Sequence, residues 1–177
     1  MLEEKEGTNA IAEDDFSFFI DPLEAGAAKA YFEFLSPEMK RREETPFNSR
    51  LNYGYSIIRN SLIRAVIAAG LIPAFGIHHQ NLYNAFNLAD DLIEPFRPCV
   101  DLVAFSMEET HTKLSREERR QLAGVLSMAV LMNDKKMTVL QAIENIVNDY
   151  RKYILEETDA ICLPLLIPYE VMTLIKE

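Results

Sequence analysis

The sequence is short of the features that mark secreted and membrane-spanning proteins. Its only two cysteines, Cys99 and Cys162, have no Cys-x-x-Cys spacing, so we expect free thiols and no disulfide framework. No stretch approaches the roughly twenty uninterrupted apolar residues that a membrane-spanning helix needs. The first residues are acidic, where a secretory signal would be basic. We therefore expect a cytoplasmic protein.

Positive charge is also scarce. The chain has 18 lysines and arginines against 28 aspartates and glutamates, which gives a formal net charge of −10. This balance argues against a protein that coats nucleic acid through a broad basic surface. Residues 1–15 hold six acids and one lysine, so this leader supplies half of the net negative charge. The remainder leaves room for a basic patch, formed by Lys40, Arg41, Arg42, Arg50, Arg59 and Arg64.

The spacing of apolar residues predicts helices and gives no clear sign of strands. Apolar residues recur at three- and four-residue steps in about residues 52–69, 84–105 and 138–154, and an alanine-rich segment spans about 23–35. No alternating apolar and polar pattern has any strength. A chain of 177 residues suits one domain with a single core. We therefore predict an all-α fold with a single compact helical domain.

Capping residues and prolines predict where some helices begin or break. Ser115 and Glu118 form a capping-box pattern, which predicts a helix from there to about Met132. Thr138 is a candidate cap for the next helix. Pro95 and Pro98 either bend the helix predicted over residues 84–105 or divide it in two.

The pattern with the most chemical content is a histidine pair followed by acidic residues. His78 and His79 lie in a predicted loop, and Asp90, Asp91 and Glu94 follow at helical spacing. Either aspartate can share a helix face with Glu94, because residues three and four apart lie on the same side. Carboxylate oxygens bind Mg²⁺ and Mn²⁺, and an added imidazole nitrogen suits Mn²⁺ better. The pattern outlines a metal site, although acidic helix faces also occur as plain solvated surfaces.

Four short motifs, in order, resemble those of the CRISPR-associated endonuclease and integrase family, the "Cas one" proteins. They are Glu-Ala-Gly-Ala-Ala-Lys-Ala-Tyr-Phe at 24–32, Leu-Asn-Tyr-Gly-Tyr at 51–55, Gly-Ile-His-His at 76–79, and Asp-Leu-Ile-Glu-Pro-Phe-Arg-Pro at 91–98. The matched region runs from about Asp21 to the C-terminus, which in that family is the helical catalytic domain. The resemblance divides the chain into an acidic leader with an aromatic segment, 1–20, and a catalytic domain, 21–177.

The resemblance implies a metal-dependent DNA endonuclease and integrase of prokaryotic antiviral defence. Such an enzyme joins the 3′ ends of short captured DNA to a repeat array by transesterification. Carried over by motif, Glu24, His79 and Glu94 are the catalytic residues and the ligands of Mg²⁺ or Mn²⁺, and Asp91 is a further ligand or orients the site. Arg97 either binds phosphate or pairs with the acidic helix. The residues expected to contact DNA are Arg50, Asn52, Arg59 and Arg64.

Members of that family also carry an N-terminal β-rich domain that serves in dimerisation. The residues before Glu24 are too few to build such a domain. We expect a truncated member or one piece of a split protein, with a weakened homodimer. The resemblance implies DNA and a second small protein, the "Cas two" partner, as binding partners. Two alternatives stay open: a non-catalytic helical module that binds DNA or a partner, and a related integrase of a mobile element.

Overall fold

The computed structural model describes residues 45–107 and 113–167, which lie in the unit Arg42–Glu177. The helix predicted over about 23–35 and the boundary predicted at residues 20 and 21 lie outside the described residues. In chain order, the described elements are α1 (Pro46–Ala68), α2 (Asn87–Leu92), a 3-10 helix (Glu94–Phe96), α3 (Arg97–Phe105), α4 (Arg116–Ala123), a second 3-10 helix (Gly124–Ser127), β1 (Ala129–Met132), β2 (Lys135–Thr138), α5 (Val139–Ile154) and β3 (Leu165–Leu166).

Helix α1 is the element against which α2, α3, α4 and α5 all pack. It begins after Thr45, whose hydroxyl accepts the N–H of Asn48 at 3.0 Å, and Pro46 occupies the first turn, where its missing N–H leaves no bond unmade. Its buried stripe comprises Leu51, Tyr55, Ile58, Leu62 and Val66. Although α1 has 23 residues, neither it nor any other helix in the described ranges is apolar enough to cross a bilayer.

A buried ion pair joins α1 to α4. The Arg50 guanidinium donates to the Glu118 carboxylate through Nε at 3.0 Å and Nη2 at 2.7 Å, and through Nη1 to the carbonyl of Met107 at 3.2 Å. The Arg50 side chain is 1% exposed. Glu118 also closes the capping box predicted with Ser115, because it accepts the backbone N–H of Ser115 at 2.7 Å. Glu118 therefore caps one helix and binds another.

Several helix boundaries predicted from the sequence are confirmed. Thr138 caps α5 and forms a second capping box with Gln141. The region around Pro95 and Pro98 contains two α-helices joined by a 3-10 helix, which is one of the two arrangements that the prolines predicted. The helix that begins after Ser115, however, ends at Ala123 and not near Met132.

The all-α prediction is wrong, because the described residues contain a three-stranded antiparallel sheet in the order β2-β1-β3. Strands β1 and β2 form a hairpin in which Met132 pairs with Lys135, so Asn133 and Asp134 are the whole loop. Both loop residues have positive φ angles, 53° and 58°. A two-residue loop with two positive φ angles matches the right-handed twist of the strands, and asparagine and aspartate tolerate it better than most residues. The fold is therefore helix-rich with a small sheet.

Candidate functional site

The loop between α1 and α2 carries both histidines, and Asp91 holds it in shape. The Asp91 carboxylate accepts the backbone N–H groups of Ile77, His78 and His79 at 2.5, 3.1 and 3.1 Å. Gly76 allows this approach, because a Cβ there would lie 2.7 Å from Oδ2 of Asp91 and 2.3 Å from the carbonyl oxygen of His79. The loop backbone therefore wraps around the buried Asp91 carboxylate of α2.

Asp91 also orients the ring of His79. Nδ1 of His79 lies 2.5 Å from Oδ1 of Asp91. An ionised carboxylate can only accept, so Nδ1 carries the proton and Nε2 keeps its lone pair when the ring is neutral. The His79 side chain is 46% exposed, while that of Asp91 is 3% exposed. Metal-binding histidines commonly have this arrangement, in which a carboxylate fixes the nitrogen that does not bind the metal.

Asp91 and Glu94, both predicted as metal ligands, differ in how many hydrogen-bond acceptor sites remain open. Asp91 accepts four N–H groups, two on each oxygen, and an ionised carboxylate has about four acceptor sites. Glu94 accepts one N–H, the Nε of Arg97, shared between its oxygens at 2.8 and 2.9 Å, and its side chain is 41% exposed. Of the two roles predicted for Asp91, orienting the site is the one its contacts favour, whereas Glu94 retains acceptor sites for a further ligand.

Arg97 links Glu94 to the core. Its guanidinium carbon lies 4.8 Å from the ring centroid of Tyr55, and the Tyr55 hydroxyl donates to the buried carboxylate of Asp101. Burial lowers the pKa of Arg97, but the charge and hydrogen bonds of Glu94, together with Tyr55, outweigh it and leave the pKa raised. Of the two roles predicted for Arg97, the structure shows the pairing with an acid.

Asp90 binds α1 and the end of the histidine loop nearest α2. Its carboxylate binds Arg59 through Nε at 2.5 Å and Nη2 at 3.0 Å, and it accepts the amide of Asn84 at 2.7 Å. Burial raises the pKa of Asp90, but the hydrogen bonds from Arg59 and Asn84 outweigh it, so the pKa is lowered. The neighbouring aspartates thus have different partners: Asp91 binds the backbone of the histidine segment, and Asp90 binds Arg59 of α1 and Asn84.

The four residues predicted to contact DNA lie in different surroundings. Asn52 and Arg64 are exposed on α1. Arg59 is one-third exposed and paired with Asp90. Arg50 is buried in its pair with Glu118, which contradicts its assignment as a DNA contact, because its guanidinium does not reach the surface.

The exposed side of α1 is polar and free of carboxylates. Asn52, Ser56, Asn60 and Arg64 are all exposed and lie four residues apart, so they form one stripe along the helix. No aspartate or glutamate occurs from Thr45 to Ala89, although the whole chain has a net charge of −10. The acid-free stretch also includes the histidine loop.

The set of three metal ligands remains a prediction. Among the described residues, no three histidine, cysteine, aspartate or glutamate side chains form a group that could hold a metal ion. Glu24, the third member of the set, lies outside those residues. His79 and Glu94 offer one imidazole nitrogen and carboxylate oxygens, which are donors suited to Mn²⁺ and Mg²⁺.

Sequence reasoning missed a second anchor of the histidine loop. The Asn87 amide donates to the carbonyls of Ala74 and Asn81, both at 3.0 Å, and this side chain is buried. Asn87 and Asp91 lie four residues apart, so one face of α2 holds the loop at two places. Two polar residues at this spacing in a short helix that is otherwise mostly apolar were the available signal.

Comparison with known proteins assigns the family. Residues 19–145 match the family described as CRISPR associated protein Cas1. A CRISPR-associated endonuclease Cas1 of Neisseria meningitidis is 33% identical over 132 residues, which cover 72% of this chain and 43% of that protein. A CRISPR-associated endonuclease Cas1 of Pyrobaculum aerophilum is 30% identical over 127 residues, which cover 67% of this chain and 43% of that protein. The chain therefore belongs to the Cas1 family, and it spans less than half the length of these relatives.

A solved structure shares the fold. It is a casposase bound to integration product, which matches with a TM-score of 0.64 over 78% of this chain and 48% of the casposase chain. The sequences are 23% identical, so the likeness concerns the fold. The chain matches the catalytic part of Cas1, as the motifs predicted.

Proposed function

We propose that this chain is the catalytic part of a metal-dependent DNA endonuclease and integrase of CRISPR adaptation. The reaction is the attack of a DNA 3′-OH on a phosphodiester, which forms one P–O bond and breaks another while the displaced 3′ oxygen takes up a proton. The observation that carries the proposal is the histidine loop of a Cas1-family chain, in which Asp91 fixes His79 and Glu94 follows one helical turn later.

The residues that would hold the metal are His79 and Glu94, with Glu24 as the third. When bound, a divalent cation offsets negative charge on the phosphate oxygens and favours ionisation of the attacking hydroxyl. The chain's own residues fix the orientation of the side chains that would bind the metal. Asp91 keeps the proton on Nδ1 of His79 and so leaves Nε2 as the donor nitrogen. Arg97 holds the Glu94 carboxylate with one N–H and leaves its other acceptor sites open.

We propose that DNA lies along the acid-free stretch from Thr45 to Ala89. Phosphate groups are repelled by carboxylates, and here a polyanion meets amides, hydroxyls and Arg64 on the exposed stripe of α1. The casposase of similar fold is described as bound to integration product. That description, transferred here as a proposal, is consistent with a DNA substrate that reaches the histidine loop along α1.

The partners proposed for the complete assembly are a second copy of the chain and the "Cas two" protein. Both come from the family resemblance, and this chain covers less than half of its relatives. A mobile-element integrase is the second candidate function, favoured by the casposase likeness. The two candidates share the chemistry and differ in target, so joining to a CRISPR repeat compared with an unrelated duplex separates them.

A strand cleavage and joining assay tests the proposal. We expect the parent chain to convert labelled DNA with Mg²⁺ or Mn²⁺ and to stop when EDTA is added. His79→Ala and Glu94→Ala should lose the activity. Glu117→Ala is the matched control, because Glu117 is an exposed acid on α4, and it should act like the parent. A parent chain that converts no DNA with either metal would favour the non-catalytic module.

A further inference from the structure

A tight turn four residues beyond His79 presents two large apolar side chains to solvent. Asn84 donates its backbone N–H to the carbonyl of Asn81 at 3.0 Å, which places Leu82 and Tyr83 at the two central positions of a β-turn. Leu82 is 97% exposed and Tyr83 is 98% exposed. No part of the chain that the structure describes covers either side chain.

This turn is fixed at its base and unusual at its tip. The Asn81 side chain accepts the N–H of Tyr83 at 3.0 Å, and the Asn81 carbonyl also accepts the buried amide of Asn87. Central turn positions favour Gly, Asn, Asp, Pro and Ser, for which backbone reasons exist. Leucine and tyrosine meet no such need here, and at this exposure they add little to the core. The exposure of Leu82 and Tyr83 therefore suggests that they contact another molecule.

The turn stands beside the candidate site. Asn87 holds Asn81 and Asp91 holds His79, and these two anchors are one turn of α2 apart. Four residues of chain span at most roughly 14 Å, which bounds the distance from the Cα of His79 to that of Tyr83. Stacked bases in one DNA strand repeat about every 3.4 Å, so this reach corresponds to about four nucleotides.

We propose that Tyr83, supported by Leu82, is a stacking platform for an unpaired base of the DNA substrate next to the reacting phosphodiester. The inference rests on the proposed function and names a positioning contact within it. Aromatic side chains stack on any base, and single strands are held in this way in many proteins. The charge around the turn suits this occupant, because the Asp90 carboxylate beside Asn84 is paired with Arg59 and the chain from Thr45 to Ala89 adds no other acid.

The test is a binding cycle in EDTA, so that it does not depend on metal or turnover. The DNA is a duplex with four unpaired 3′ nucleotides, prepared intact and with each unpaired base removed in turn. We expect Tyr83→Ala to bind intact DNA roughly tenfold more weakly than the parent. We expect removal of one particular base to weaken parent binding similarly, and the two changes together to cost no more than either alone, because they remove the same contact.

DNA binding by two further variants and by the parent chain decides whether Tyr83 is a stacking platform. Tyr83→Phe should bind like the parent, because the ring is kept, and Leu165→Ala, an exposed apolar residue on β3, should change nothing. If the losses from Tyr83→Ala and base removal simply add, or if Tyr83→Ala alters sedimentation but not DNA binding, the platform is refuted and the turn contacts protein. If the parent joins DNA and Tyr83→Ala binds it equally well, this inference alone fails. If the parent binds no DNA, the proposed function fails with it.

Discussion

Asp91 and Glu94 stand three residues apart and have different surroundings. Asp91 is 3% exposed and accepts four N–H groups, whereas Glu94 is 41% exposed and accepts one. Removing the charge of Asp91 therefore disturbs a buried set of donors, while removing that of Glu94 disturbs a half-exposed pair. The same acid-to-amide substitution should therefore cost more stability at Asp91 than at Glu94.

We predict that Asp91→Asn lowers the free energy of unfolding by about 2 kcal/mol, because an amide N–H₂ would face backbone donors that need acceptors. Glu94→Gln should cost less than about 1 kcal/mol, the usual range for an exposed ion pair. Both should abolish strand joining, the first through a misplaced His79. Urea unfolding and the joining assay measure the two effects. Equal stability losses would show that Asp91 does not hold the loop.

The motifs predicted a set of site residues but not the contacts that each of them makes. Spacing alone placed Asp90, Asp91 and Glu94 within reach of one another and could not tell them apart. The three acids differ because each contacts a different group. Asp90 pairs with Arg59 of α1, Asp91 accepts backbone N–H groups of the histidine loop, and Glu94 pairs with Arg97. Arg50 was assigned to DNA because it is cationic, yet its acidic partner, Glu118, lies 68 positions away. Contacts of that range are set by tertiary packing.

At the scale of elements, the contact between α1 and α4 should depend on pH. Hydrogen bonds from the Ser115 backbone, from Arg50 and from the Ser115 hydroxyl lower the pKa of Glu118 from its ordinary 4.5 to about 2. A lowered carboxyl pKa gives stability that is present above pH 4.5 and is lost as the pH falls toward 2. We predict that Glu118→Gln costs about 3 kcal/mol at pH 7, since it replaces the buried carboxylate that pairs with Arg50 by a neutral amide.

Urea unfolding between pH 7 and pH 2.5 checks this prediction. The difference in stability between the parent and Glu118→Gln should narrow as the pH falls from 4.5 toward 2, because in this range the unfolded parent binds a proton at Glu118 and the folded parent does not. Glu117→Gln, a change at the exposed neighbour in α4, is the control and should show no such convergence. A constant difference across the range would mean that the pKa of Glu118 is not lowered in the folded chain.

The hairpin of β1 and β2 has a loop that favours glycine. Asp134 has a φ of 58°, a conformation that costs most residues free energy and glycine almost none. We predict that Asp134→Gly raises the free energy of unfolding by up to about 1 kcal/mol. Asp134→Val should lower it, because a β-branched side chain clashes at positive φ. Thermal unfolding measures both, and a loss of stability in Asp134→Gly would contradict the turn assignment.

The same hairpin explains why the sheet was missed. Its strands have four residues each, and β3 has two, so no run is long enough to show alternation. Ala129-Val-Leu-Met132 is apolar throughout and reads equally well as the end of a helix. The loop pair Asn133-Asp134 was the available signal, but it lacks the glycine that makes such turns recognisable. The capping box of Ser115 and Glu118, by contrast, depends on hydrogen bonds between residues three apart, so the sequence was enough to predict it.

At the scale of the whole molecule, the distribution of charge predicts that the proposed DNA binding depends only weakly on salt concentration. The exposed stripe of α1 holds one arginine, and the slope of log K against log salt is about −0.9 per phosphate neutralised. We predict that Arg64→Gln reduces the magnitude of the slope by about 0.9, while Arg151→Gln on the exposed side of α5 leaves it unchanged. Titrations at several salt concentrations measure this. Equal effects of the two variants would place the DNA elsewhere.

The shortness of α2 ties the candidate site to the completion of folding. A helix of six residues is not stable in isolation, since nucleation outweighs so few hydrogen bonds. Asn87 and Asp91 therefore reach the loop only after α2 has docked on α1. A partly folded chain therefore has no positioned His79, so the candidate site forms only together with the hydrophobic core that holds α2 on α1.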